Sequence, residues 1–453
     1  MNLLDQQAMR SYIKNGYVTL QPDFPPEFHQ QIYAQTEAVF ESGNPGNDIL
    51  PKVRGVAQVF DHPLVVGALS TILGPDYVMH PHRHCHLNMP GTSAQTSHQD
   101  SYEDDENVRQ HRTRWAMAFY YPQDVTSNMG PTGLQPGTQY FYQKETTQDM
   151  PEVALSGPAG TVTIVHYDVW HRAMKNDSDK KRYMMKFLFC RMSEPEKASI
   201  NSSHHLENLM LWHTGNCSSS ISKTKLPSLH TFIDQLKHGT ETDRITAAYA
   251  LGQVGSAAVP TVLETLQHEA IATGDQNLKR GYTNPSQLYS VYALSNLGTT
   301  AVSAVVEALR HPNRWVRAAA AAVLADMGRE AQSSVPHLTE ALSDQEMWVR
   351  RNAVEALGII CPNDMTAVAQ LCQILQNDEA HRVRHNAALA LARIRPNADF
   401  AVAALGTALN DENLYVRGNT RLALKRINTV VAHKALANVP ELSSGGYHAA
   451  TNH

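Results

Sequence analysis

The chain has 453 residues, 42% of them hydrophobic and 18% charged, with a formal net charge of -5. This is the composition of a globular protein too long for one core, so two or three domains are expected, and it gives no reason to expect nucleic acid or a membrane surface as partner. No run of eighteen apolar residues occurs, and the opening MNLLDQQAMRSYIKNGYV lacks the basic-then-apolar order of a secretion signal, so a cytoplasmic location is expected.

Residues 1–75 mix helical segments with one strand candidate, GYVTL. From residue 77 short apolar runs alternate with Pro, Gly and Asn turns, and WAMAFYY, TVTIVHY and RYMMKFLF have the composition and length of strands. Short strands without helices between them predict an all-β barrel or jelly roll, ending near residue 193. VMHPHRHCHLN sets His80, His82, His84, His86 and Asn88 in strict alternation, so that on a strand all five share a face. That face is either a solvated edge or an inner wall that contacts substrate or cosubstrate; a zinc site built from these histidines is a third alternative. The strand leads into His98-Gln99-Asp100, and the acidic run Glu103, Asp104, Asp105 and Glu106 that follows reads as solvated surface.

One H-x-D triplet is weak in a chain with 23 histidines. The second element is GTVTIVHYDVWHRAMKNDSDKKRYMMKFLF, which puts His171 at a strand end and Arg182 eleven residues later in the next strand. Two histidines and a carboxylate bind Fe(II) on one face and leave three positions open. H-x-D supplies two ligands from one strand end, because residues two apart point the same way. 2-Oxoglutarate would fill two open positions, and its far carboxylate needs a fixed cation, which the planar fork of Arg182 suits. His166 competes with His171, but it does not end its strand, and the spacing to Arg182 favours His171. Trp115, Tyr120, Tyr140 and Trp170 read as barrel core.

These residues, with YIKNGYVTL, HLNMPG and NMGPTGLQPGTQ, resemble the phytanoyl-CoA dioxygenase family of 2-oxoglutarate oxygenases over roughly residues 8–192. The resemblance implies a double-stranded β-helix with Fe(II), 2-oxoglutarate and O2 as cofactors. It assigns His98, Asp100 and His171 to the metal, Arg182 to 2-oxoglutarate, and Gln99 and Asn88 to the cosubstrate pocket. His86 and Arg172 are the substrate candidates. Thr138-Gln139 stands where the family usually has Ser-His, and Arg172-Ala173 where it often has Gly and then Ser. Because Asp100 retains the carboxylate, an oxygenase is implied rather than a halogenase.

Residues 194–227 are polar and serine-rich and read as a connector packed through Trp212. Beyond them the chain repeats: NRWVRAAAAAVLADMG, EMWVRRNAVEALGII, AHRVRHNAALALARI and NLYVRGNTRLALKRI place Arg317, Arg350, Arg384 and Arg417 at intervals of 33, 34 and 33. A leucine follows each arginine by seven residues, and His311, Asp344, Asp378 or Asp411 precedes it by six. RITAAYALGQVG and QLYSVYALSNLG are earlier copies; the second has Gln287 in the arginine place. Such units cannot bury an apolar face alone and stack into a solenoid. The pattern resembles short bacterial HEAT repeats. The aspartates are expected to cap the helices that follow, and the arginines to pair with aspartates along the stack. The fold expected is a jelly-roll barrel at 1–193, a connector at 194–227, an α-helical solenoid at 228–432 and a flexible tail at 433–453. Cys85, Cys190, Cys217, Cys361 and Cys372 form no CxxC pair and read as small buried residues.

The function expected is oxidative decarboxylation of 2-oxoglutarate coupled to C–H oxidation, most simply hydroxylation, of a small metabolite. The alternatives are an oxygenase whose repeats dock a protein, peptide or carrier-bound substrate, and an inactive interaction scaffold; the repeats would also accommodate a homodimer.

Overall fold

The structure, a computed structural model, describes residues 2–100, 112–194, 228–277, 284–360, 363–396 and 398–437. The acidic run after Asp100, nearly all of the connector including Trp212, Cys217, Cys361 and the last sixteen residues lie outside them.

The N-terminal half opens with α1 (Gln6–Asn15), β1 (Tyr17–Leu20), α2 (Pro26–Glu41), α3 (Ile49–Lys52), α4 (Gly55–Phe60) and α5 (Pro63–Leu73). β2 (Tyr77–Asn88), β3 (Trp115–Tyr120), β4 (Thr132–Leu134), α6 (Lys144–Thr147), β5 (Val153–Leu155), β6 (Val162–His166), β7 (His171–Ala173) and β8 (Arg182–Arg191) follow. The strands form two antiparallel sheets, a larger one in the order β1-β6-β3-β8-β2 and a smaller one in the order β5-β4-β7. His98 adds to the smaller sheet by exchanging two backbone hydrogen bonds with His171, both of 2.9 Å.

The alternation of the central strands explains why they read as almost unbroken apolar runs. On β3, Ala116, Ala118 and Tyr120 pack with α1, α4 and α5, while Trp115, Met117 and Phe119 face inward. On β8, Tyr183, Met185, Phe187 and Phe189 lie against the helices, and Met184, Leu188 and Cys190 face inward. Both faces of the larger sheet are therefore covered. Cys85, Cys190 and Cys372 are buried and free, as expected.

The C-terminal half is α7 (Leu229–His238), α8 (Glu241–Val254), α9 (Val259–Asn277), α10 (Tyr289–Leu297), α11 (Val302–Ala308), α12 (Arg314–Met327), α13 (Val335–Ala341), α14 (Met347–Ile360), α15 (Met365–Asn377), α16 (His381–Ile394), α17 (Asp399–Ala408), α18 (Leu414–Ile427) and α19 (Val430–Ala437). The last helix crosses the boundary expected at 432. The arginines pair along the stack: Arg317, Arg350 and Arg384 each grip the next unit's aspartate, at 2.7–2.9 Å for Asp344, 2.7–3.1 Å for Asp378 and 2.8–3.2 Å for Asp411. Each guanidinium also donates to the two carbonyls that precede its own helix, so one side chain closes a turn and joins two repeats. The expected capping role is corrected. Asp344, Asp378 and Asp411 accept from the amide two residues on, closing the turn ahead of the helix, and Asn313 and Asn413 cap α12 and α18.

Barrel and solenoid share one apolar core, in which the inward residues of β3, β6 and β8 are continuous with the repeat helices. Polar contacts frame it. Arg114, buried at the head of β3, donates to Glu194 at 2.7 Å, to the Asp326 carboxylate at 3.1 Å and to the Asp326 carbonyl at 3.0 Å. Arg426 forks onto Asp76 at 2.8 and 3.0 Å. On α18, Gly418 lets β2 come close: a Cβ there would stand 2.6 Å from Cγ of Pro81. No helix among the described residues is long and apolar enough to cross a membrane.

Candidate metal centre

His98, Asp100 and His171 converge, each offering one ligand atom within 4.8 Å of the others. His98 Nε2 lies 3.8 Å from Asp100 Oδ1, and His171 Nε2 lies 3.4 Å from Asp100 Oδ2. The pairing of His98 with His171 brings together residues 73 positions apart. The opposite ring nitrogens settle the tautomers. His98 Nδ1 stands 3.0 Å from the Thr96 carbonyl and His171 Nδ1 3.0 Å from the Val169 carbonyl. A carbonyl only accepts, so each Nδ1 carries the hydrogen and each Nε2 turns its lone pair to the centre. Burial further disfavours a charged His98. Burial alone would raise the Asp100 carboxyl, but Lys186 holds it well below the usual range. Asp100 is thus held as the carboxylate that a divalent cation would require.

Lys186 is a site residue that the motif spacing did not reveal. Its Nζ lies 2.8 Å from Asp100 Oδ2. It shares a face of β8 with Arg182, four residues away, so strand alternation from Arg182 was the signal that could have found it. His84 stands opposite Lys186 and Asn88 opposite Arg182 in the β2–β8 register.

Arg182 is 1% exposed and has no anionic partner among the described residues. Nε and one terminal nitrogen donate to the Gly130 carbonyl at 2.9 and 2.6 Å, and the other terminal nitrogen is 3.5 Å from the His86 carbonyl. One hydrogen on each terminal nitrogen is left, the fork that a carboxylate accepts. Burial lowers the pKa of this cation, and an added anion would offset that cost.

Three further candidates stand elsewhere. Gln99 points away from the metal ligands, its amide nitrogen donating to the Phe141 carbonyl at 3.0 Å and the Asp168 carbonyl at 2.5 Å, so it anchors the H-x-D segment rather than facing a cosubstrate. Asn88 spends its amide on the carbonyls of Gly130 and Met174, both at 3.0 Å, and braces the turn that holds Arg182. Arg172, next to His171 on a strand, projects from the opposite face and is clamped by Glu152 at 2.7 and 2.8 Å, so the structure does not place it at the centre. His86 faces the centre's side of β2 and keeps exposed surface. His166 lies on β6 beside Thr113 and Asp168, and the convergent group contains His171 instead. The four aromatics are as expected for Trp115, Tyr120 and Trp170, which are buried, whereas Tyr140 is half-buried.

Gly130 explains the glycine in NMGP. Its φ is +63°, and a Cβ would stand 2.2 Å from Asn88 Nδ2 and 2.8 Å from the Met174 carbonyl. Gly130→Ala should cost about 1–3 kcal/mol by the backbone conformation alone. It should also raise KM for the anionic cosubstrate by loosening Arg182. Denaturant unfolding and steady-state kinetics check the two parts.

Comparison with known proteins agrees with this geometry. The family model for phytanoyl-CoA dioxygenase matches residues 2–184. HEAT-repeat models match 287–358, 302–392 and 368–439, and a PBS lyase HEAT-like repeat matches 243–268. No curated protein matches the chain. Among solved structures, the non-heme alpha-ketoglutarate-dependent carbocyclase SnoK from nogalamycin biosynthesis is 19% identical, with 44% of this chain and 89% of that one covered and a TM-score of 0.35. AviO1 from Streptomyces viridochromogenes Tue57 is 12% identical, with 43% and 99% covered and a TM-score of 0.36. The epimerase SnoN in complex with Fe3+, alpha ketoglutarate and nogalamycin RO is 14% identical, with 42% and 84% covered and a TM-score of 0.36. Likenesses of that size say nothing about substrate. By its motifs and its family match, the chain carries a phytanoyl-CoA dioxygenase domain at residues 2–184, joined to HEAT repeats between residues 243 and 439.

Proposed function

We propose that the barrel is an iron(II)- and 2-oxoglutarate-dependent oxygenase that oxidises a C–H bond of a small molecule, most simply by hydroxylation. The observation that carries this is the convergence of two imidazole lone pairs and one carboxylate oxygen within 4.8 Å, together with a buried arginine that has no anionic partner among the described residues and lies on the same face of β8 as the Lys186 that contacts Asp100.

When bound, iron with 2-oxoglutarate and O2 supplies the oxidising power, yielding succinate and CO2. The protein's part is geometric and electrostatic. Thr96 and Val169 hold the ligand imidazoles in register through their Nδ1 hydrogens. Lys186 holds the Asp100 carboxylate and keeps it ionised. Gly130 and His86 fix the Arg182 fork, which would receive the cosubstrate's far carboxylate. Purified full-length protein given Fe(II), 2-oxoglutarate and O2 should release succinate; a preparation that retains iron yet forms none sinks the reading. Arg182→Met should raise KM for 2-oxoglutarate about 10–100-fold, the worth of a charge-assisted fork, with iron affinity unchanged in a metal titration.

The small-molecule reading is favoured over docking of a protein by the repeats because α12, α16 and α18 already face the barrel, through Asp326, Arg393, Tyr415 and Arg426. The scaffold reading leaves the tautomer-fixed ligand set and the unpaired buried cation without a purpose.

A further inference from the structure

We propose that the substrate site runs from the metal ligands along His86, His84 and His82 to Tyr415 of the solenoid, and that it takes a neutral, polyhydroxylated small molecule. This deepens the oxygenase reading and rests on it for the position of the reacting end.

The row is continuous. His82, His84 and His86 share the inner face of β2, with ring centroids 4.8 Å apart for the first pair and 6.1 Å for the second. His84, in the middle of the row, is opposite Lys186, whose ammonium touches Asp100, so the row passes beside the candidate metal ligands. One end lies in the repeats: Tyr415, in the first turn of α18, sets its hydroxyl 2.6 Å from His82 Nδ1. Tyr415 also stacks on His80, at 6.2 Å and 22°. The barrel alone would lack this wall. Gly418, one turn along the same helix, is what lets β2 come near enough for the contact.

Two observations point to a ligand. Among the described residues the rings of His84 and His86 make no hydrogen bond, and His86 is exposed while His84 is half-buried. Histidines that serve packing are usually satisfied by a partner. The charge balance then selects the ligand's chemistry. The ionised groups acting on His84 are Lys186 and Asp100, which pair with each other; His86 senses Arg182 as well. Among the described residues the remaining cation, Arg182, is the one reserved for the cosubstrate's carboxylate, so none is left along the row to attract an ion. Burial, with Lys186 adding to it, holds His84 down at about 4, and burial lowers His82 too, so these imidazoles are neutral at physiological pH. A neutral imidazole offers one donor and one acceptor, and a row of them matches successive hydroxyls, each of which is both.

The test uses the full-length protein loaded anaerobically with Fe(II) and 2-oxoglutarate, whose charge-transfer absorption reports loading. Saturation-transfer NMR is run with neutral methyl glycosides, sucrose and maltotriose, and with cyclohexanol and octanoate as apolar and anionic contrasts. The expected result is selective contact with the glycosides, and at least a tenfold weaker affinity for the best of them in Tyr415→Phe and in His84→Phe. The absorption band should remain in both variants. Tyr415→Phe keeps the ring that packs on His80, so it stays informative if the histidine variant misfolds. Absence of glycoside contact, equal affinity in the variants, or preference for the contrasts overturns the proposal. Should the band fail to form in the wild type, the oxygenase reading falls by itself, and glycoside contact is still scored on the metal-free chain.

Discussion

Asp100→Ala should abolish 2-oxoglutarate turnover and weaken iron binding by well over about 100-fold, more than the loss expected from removing an outer partner of a metal ligand. The carboxylate is the only anionic ligand of the three, and it is the group on which Lys186 is held. Its removal leaves an ammonium beside two imidazoles, so the variant centre repels a cation instead of attracting one. Succinate release and a competitive iron titration measure the two effects. Asp100→Glu is the control: it keeps the charge but lengthens the arm, and it should retain part of the iron affinity with little turnover. Full activity in Asp100→Ala would refute the ligand assignment.

The second large effect is on stability. Arg114→Leu should cost about 3–5 kcal/mol, because it leaves the buried carboxylates of Glu194 and Asp326 without their shared cation. Denaturant unfolding of the full chain measures it; a change below about 1 kcal/mol would show that these charges are hydrated. The pair also has a pH signature. Burial alone would raise the Glu194 carboxyl, but Arg114 and Arg191 pull it from 4.5 down to about 2. A carboxyl with a depressed folded-state pKa stabilises above its unfolded pKa and loses that contribution as pH falls through the folded one. The stability gap between wild type and Glu194→Gln should therefore be full above pH 4.5 and narrow progressively toward pH 2. A gap that widens on acidification contradicts the assignment.

Much of the architecture was legible because it rests on periodicity. The 33–34-residue spacing of Arg317, Arg350, Arg384 and Arg417 implied a stack, and the partners of the first three are the anticipated aspartates. The convergence of His98, Asp100 and His171 was legible because an H-x-D triplet and a distant histidine before an arginine form a constrained pattern. What stayed hidden depends on contacts between remote residues. Which way Gln99 points is decided by the carbonyls of Phe141 and Asp168, and Arg172 is claimed by Glu152, twenty positions earlier. Tyr415 meets His82 from 333 residues away, a pairing that neither local pattern announces. The aspartates were assigned a capping role because they precede helices, but the cap position lies two residues later, where Asn413 takes it after Asp411 and Ala380 leaves it unfilled after Asp378.

The core that runs unbroken from the strands into the repeats has a consequence for how such a chain can change over time. In a free-standing stack any unit can be duplicated, lost or exchanged, since each touches only its neighbours. Here α12, α16 and α18 each meet the barrel with a different side chain, at Asp326, Arg393 and Tyr415. Inserting or deleting one unit between them would shift these contacts out of register with one another. Repeat number in this protein is therefore pinned by the enzyme it leans on, and drift is left to the helices that face away.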